Sequence, residues 1–102
     1  MIQKTKGNNN EYQFVVKSSD GGILLRSKWY NSENEVDHIV AQMVENLDNS
    51  IAIERTTNHN GQFQFLVKNN GNNLIGFSEP YSSEAGMENG IKNLNKSIYN
   101  SK

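Results

Sequence analysis

The chain has 102 residues, ten Lys plus Arg against eleven Asp plus Glu, a formal net charge of −1 and no cysteine. That is one domain's length. The charge balance, with a pI near 6.1, withdraws the phosphate-neutralising field on which nonspecific nucleic-acid and anionic-membrane binding depend. Without cysteine there are no disulfides, thiolate metal sites or cysteine nucleophiles, and the expected location is the cytoplasm.

Only 34% of the residues are hydrophobic, so the core must be thin. Leu, Ile, Val and Phe still number 24 of 102, above the level of roughly 20% that marks disorder. The opening run from Met1 to Asn10 has no apolar signal-peptide segment, and no apolar stretch reaches the roughly 18 residues that a membrane span needs. A soluble, folded chain without a membrane partner is expected.

In chain order, Ile2 to Thr5 reads as a weak strand and Lys6 to Asn10 as a polar turn. Tyr12, Phe14 and Val16 alternate with Gln13, Val15 and Lys17, the period of a half-buried strand whose aromatic face points inward. Ser18 to Gly22 is rich in residues that tolerate positive φ and should turn the chain into an antiparallel strand from Ile23. After Lys28-Trp29-Tyr30, Ser32 and Glu35 have capping-box spacing, and Val36, Ile39, Val40, Met43, Val44 and Leu47 form a helical stripe.

The pattern then recurs. Ile51 to Thr56 reads as a strand and Thr57 to Gly61 as a turn. Phe63, Phe65 and Val67 alternate with Gln64, Leu66 and Lys68, and Asn69 to Asn73 turns into a strand from Leu74. Ser83 caps a second helix with the stripe Met87, Ile91, Leu94 and Ile98. Gly86 and Gly90 lie in that helix at a cost of about 1 kcal/mol each relative to Ala, which suggests close packing against another backbone.

Sliding the chain against itself by 51 residues aligns Tyr12-Gln13-Phe14-Val15-Val16-Lys17 with Phe63-Gln64-Phe65-Leu66-Val67-Lys68 without a gap. Ser27, Tyr30 and Ser32-Glu33 then meet Ser78, Tyr81 and Ser83-Glu84. Such self-similarity marks a duplication. The expected fold is α+β: two pseudo-symmetric β-β-β-α repeats, 1–50 and 51–102, in a single domain. They should share one mostly antiparallel sheet, with the helices packed on one face.

Gly61-Gln62-Phe63-Gln64-Phe65 through Lys68, Asn70-Gly71, Ser78-Glu79-Pro80-Tyr81, and Ser83-Glu84-Ala85-Gly86-Met87-Glu88-Asn89-Gly90-Ile91-Lys92 together resemble the repeat of the YegP-like family of small bacterial proteins. The resemblance extends over nearly the whole chain. It implies a tandem repeat folded as two three-strand-plus-helix units in a single sheet, with a strand exchanged between units. The first copy departs from the pattern at Lys28-Trp29-Tyr30 and His38-Ile39-Val40. No biochemical activity comes with the resemblance.

No residue set has catalytic spacing. His38 and His59 have no ligand-spaced companion, so neither a metal nor a cofactor is expected. Glu33 and Glu84 fall in first helical turns, where the helix dipole favours a carboxylate, and Ser32 and Ser83 read as caps. Tyr30 and Tyr81 should fill the corner between sheet and helix.

The favoured function is therefore a noncatalytic binding or assembly module, acting through its sheet face or the groove between repeats. If strand alternation holds, Val15, Leu24, Leu66, Ile75 and Phe77 point away from the helices and form an apolar contact patch. Gly76 would leave room for the Phe77 ring, and the unpaired Trp29 is a further contact residue. The expected partner is a second copy or another protein. Two alternatives are single-stranded RNA stacked on Phe63 and Phe65, which the charge disfavours, and an enzyme of unrecognised type.

Overall fold

A computed structural model describes residues 1–45 and 51–101. Six strands form one sheet: β1 (Ile2–Lys6), β2 (Tyr12–Lys17), β3 (Ile23–Ser27), β4 (Ile51–Thr57), β5 (Phe63–Asn69) and β6 (Leu74–Phe77). Helix α1 (Glu33–Glu45) follows β3 and helix α2 (Glu84–Tyr99) follows β6. The sheet order is β1-β2-β3-β6-β5-β4, with every pairing antiparallel. Each run of three strands stays contiguous, so no strand is exchanged between the two halves; short hairpin turns hold each strand beside its sequence neighbour.

The turns form where the chain has residues that accept positive φ. Asn10 (58°) and Gly61 (76°) end the β1–β2 and β4–β5 turns, and Gly21 (90°) and Asn72 (65°) serve the β2–β3 and β5–β6 turns. Side chains secure them: Asn69 Oδ1 accepts from the N–H groups of Gly71 and Asn73, at 2.9 and 3.0 Å.

Both helices start at serine caps, with Ser32 Oγ accepting from Glu35 N at 3.2 Å and Ser83 Oγ from Gly86 N at 3.0 Å. Helix α1 lies on β2, α2 crosses β2, β3 and β5, and the two helices touch. Beneath them Phe14, Val16, Phe65 and Val67 are fully buried, together with Val36, Met43, Leu94 and Ile98 from the helices. Leu47, the last residue expected in the first helical stripe, lies outside the described residues.

Two irregularities overturn the expected alternation of β3 and β6. Val16 pairs with Leu25 but Lys17 pairs with Ile23, which leaves Leu24 as an extra residue on β3. Likewise Val67 pairs with Gly76 and Lys68 with Leu74, leaving Ile75 extra on β6. A β-bulge of this kind re-aims side chains at the insertion. Leu24 and Ile75, expected on the outer face, are instead 6% and 4% exposed within the core cluster.

Gly76 is also buried, and its absent side chain makes no room for Phe77. A Cβ there would run into the backbone of Arg26 and Ser27, so the glycine allows β6 to approach β3. Gly90, expected to pack against another backbone, instead lies against a side chain, that of Tyr81.

Candidate functional site

Among the described residues the helices occupy one face of the sheet and leave the other open. One line of paired residues runs across all six strands on that open face: Gln3, Val15, Arg26, Phe77, Leu66 and Glu54. Because Phe14, Val16, Phe65 and Val67 enter the core, their neighbours Val15 and Leu66 must point the opposite way. Phe77, between Arg26 and Leu66, is 38% exposed, whereas Leu66 is half-buried and Val15 is covered.

One charged pair stands between Val15 and Phe77 on this line, and another borders Leu66. Arg26 Nε donates to Glu79 Oε1 at 2.8 Å, and Lys68 Nζ meets Glu54 Oε2 at 2.5 Å. Gln13 and Gln64 reach over β3 and β6 to donate to the carbonyls of Ser27 and Ser78, at 2.9 and 2.7 Å. The five aliphatic and aromatic residues expected on this face reduce to Val15, Leu66 and Phe77. Trp29 sits apart from them, its half-exposed ring resting against Gly7 in the β1–β2 turn.

The aromatic platform required for RNA stacking points the wrong way. Phe65 is fully buried, stacked on Tyr81 with ring centroids 6.4 Å apart, and Phe63 packs against the core. Tyr30 and Tyr81 occupy the corner between sheet and helices, as their position suggests, and burial raises the pKa of both phenols. Each exchanges two backbone hydrogen bonds with the first residue of a central strand, Tyr30 with Tyr12 of β2 and Tyr81 with Phe63 of β5.

His38 and His59 are exposed, and no group of three or more His, Asp or Glu side chains converges among the described residues. Glu33 and Glu84 are exposed at the helix starts. No helix among the described residues is long and apolar enough to cross a membrane.

Sequence reasoning missed two kinds of polar contact. The buried Ser27 and Ser78 hydroxyls accept from Phe14 N and Phe65 N, at 2.9 and 3.0 Å, and donate to the carbonyls of Lys28 and Glu79. On the helix side of the edge strands, Lys4 pairs with Asp37 at 2.8 Å, and Arg55 meets both carboxylate oxygens of Glu88, at 2.5 and 2.9 Å. Hydrogen bonding and attraction from Asp37 raise the Lys4 pKa, and Arg55 lowers that of Glu88. The available signal was conservation of charge at the 51-residue offset, Lys4 with Arg55 and Asp37 with Glu88, where identity is lost.

Among the described residues a six-stranded antiparallel sheet carries two helices, which defines a small two-layer α+β protein, and two solution NMR structures share this fold. The yegP protein of unknown function from Escherichia coli superposes with a TM-score of 0.83 at 26% identity, covering 96% of this chain and 84% of that one. UPF0339 protein SO3888 from Shewanella oneidensis has a TM-score of 0.82 at 23% identity, with 95% and 82% covered.

UPF0339 protein YegP of Yersinia pestis is 32% identical over 91 residues, 89% of this chain and 81% of the relative. YegP of E. coli K12 is 29% identical over 93 residues, 91% and 84%. The model of a domain of unknown function, DUF1508, matches residues 58–97. The chain belongs to the UPF0339 family of YegP-like proteins.

Proposed function

We propose that this protein is a noncatalytic binding or assembly module whose contact surface is the open sheet face centred on Phe77. The carrying observation is that an aromatic ring, 38% exposed, lies in the middle of a cross-sheet line with Leu66 and Val15, on the face that no helix covers. A sheet normally covers an apolar face, and a second copy or another protein would do so here. Trp29 lies outside this patch and contributes a separate contact.

The same reading takes the chain as a duplicated unit, repeats 1–50 and 51–102, forming a single domain in the cytoplasm. Its support is the recurrence, 51 residues apart, of the serine hydrogen bonds, the positive-φ turn residues and the bulges. Stacked RNA has less support, since Phe63 and Phe65 face the helices, and catalysis has no candidate residues among those described.

Sedimentation analysis of wild type and Phe77→Ser tests the proposal, with thermal melting measured in parallel. Weakened self-association or partner binding with little change in melting is the expected result. A large loss of stability with unchanged association would remove the contact role.

A further inference from the structure

The two edges of the sheet are defended differently. On β4, Arg55 points toward the helices and both its Nε and Nη2 are engaged by Glu88 of α2. Inward-directed charge of this kind discourages strand addition. The cavity beside it is about 220 Å³. On β1 the inward-directed charge is Lys4, 2.8 Å from Asp37 and 3.9 Å from Glu33, and what differs is the space beside it, a groove of about 560 Å³.

The groove is floored by Ile2 and Lys4 of β1 and roofed by Asp37, Val40, Ala41 and Val44, one stripe of α1 at three- and four-residue spacing. The β1 main chain matches it. Lys17 N donates to Met1 O, and Gly7 N to Glu11 O, so by antiparallel alternation Gln3 and Thr5 bond to β2. The N–H and C=O groups of Ile2, Lys4 and Lys6 therefore face the free edge. Residues of an added strand opposite those three would have their side chains on the helix face, where the groove lies.

We propose that the β1 edge accepts an extended segment of another protein as an antiparallel seventh strand. Aliphatic residues would lie opposite Ile2 and Lys4, with a carboxylate opposite Lys6. Lys6 forms no ion pair among the described residues, so it is the cation available to a partner. A second copy fits poorly, because the register that pairs the whole of β1 with another β1 sets Lys4 against Lys4. Main-chain pairing would supply affinity, and the groove with Lys6 the selectivity.

The probe is the peptide acetyl-Glu-Thr-Val-Thr-Val-Thr-amide, titrated into the full ¹⁵N-labelled chain. Shifts should be confined to β1 and to Val40, Ala41 and Val44, with slowed amide exchange at Ile2, Lys4 and Lys6. Replacing the peptide's Glu by Lys should weaken binding about threefold at low salt, and Lys6→Glu should restore it to that peptide. Ala41→Glu, at an exposed position that leaves the core intact, should abolish the shifts. No shifts at millimolar peptide, shifts centred on Phe77 instead, equal affinity for the two peptides, or the same β1 shifts produced by raising protein concentration alone would each overturn the proposal.

Discussion

The Tyr81 hydroxyl lies directly against Gly90 of α2, so that a Cβ on residue 90 would overlap it. The helix thus accepts a residue of poor helical propensity in order to bring α2 down onto the Tyr81 ring, which itself stacks on Phe65. Two effects then oppose each other at this position. Gly90→Ala should gain about 1 kcal/mol of helix propensity and lose about 1–3 kcal/mol to overpacking. We expect net destabilisation in urea denaturation, relieved only in part when Tyr81→Phe is added, because the oxygen is then gone but the ring carbon Cζ, 2.6 Å from the added Cβ, remains. A more stable Gly90→Ala variant would show that the phenol moves aside freely.

Phe14 and Phe65 are both fully buried under the helices. Truncating either to Ala should cost about 3–5 kcal/mol, by lost transfer energy plus the cavity left behind. Denaturant midpoints report it, and an unchanged midpoint in either variant would contradict the core assignment.

Ser27→Ala and Ser78→Ala each leave a buried backbone N–H, of Phe14 or Phe65, without its hydroxyl acceptor. The cost should be about 1–3 kcal/mol, out of proportion to the one atom removed. Exchange of the Phe14 or Phe65 amide should accelerate selectively, and exchange that remains as slow as in wild type would show that the hydroxyl is dispensable.

The Arg55–Glu88 pair should make stability depend on acid. Glu88 has its pKa lowered from the ordinary 4.5, chiefly by the hydrogen bond from Arg55. A depressed folded-state pKa contributes stability that is present above the unfolded value and lost as pH falls through the folded one. Wild type should therefore lose more stability than Glu88→Gln on titration from pH 6 to below about 4.5. Both side chains are solvent-exposed, so the difference should shrink with added salt. Parallel curves for the two proteins would mean that the pair is not formed in solution.

Much of the fold was legible from local pattern. Alternation in Tyr12 to Lys17 and Phe63 to Lys68 located the central strands, positive-φ residues located the turns, and serine caps with apolar stripes located both helices. These features depend on each residue's own backbone preferences and on periodicities of 2 and 3.6, which a chain carries wherever it is placed.

The composition of the candidate site was legible only in part, and the reason lies at Leu24 and Ile75. Each is an extra residue relative to its partner strand, and only the pairing of β3 with β2 and of β6 with β5 shows where the insertion falls. Strict alternation counted along one strand puts both outside; the bulge puts both in the core and leaves Phe77 between Leu66 and Arg26, with Val15 one strand beyond Arg26. The order β3 beside β6, the covering of Gly76 by β3 and the groove between β1 and α1 are likewise properties of packing. They follow from how elements distant in sequence share one core, and no window along a single strand contains that information.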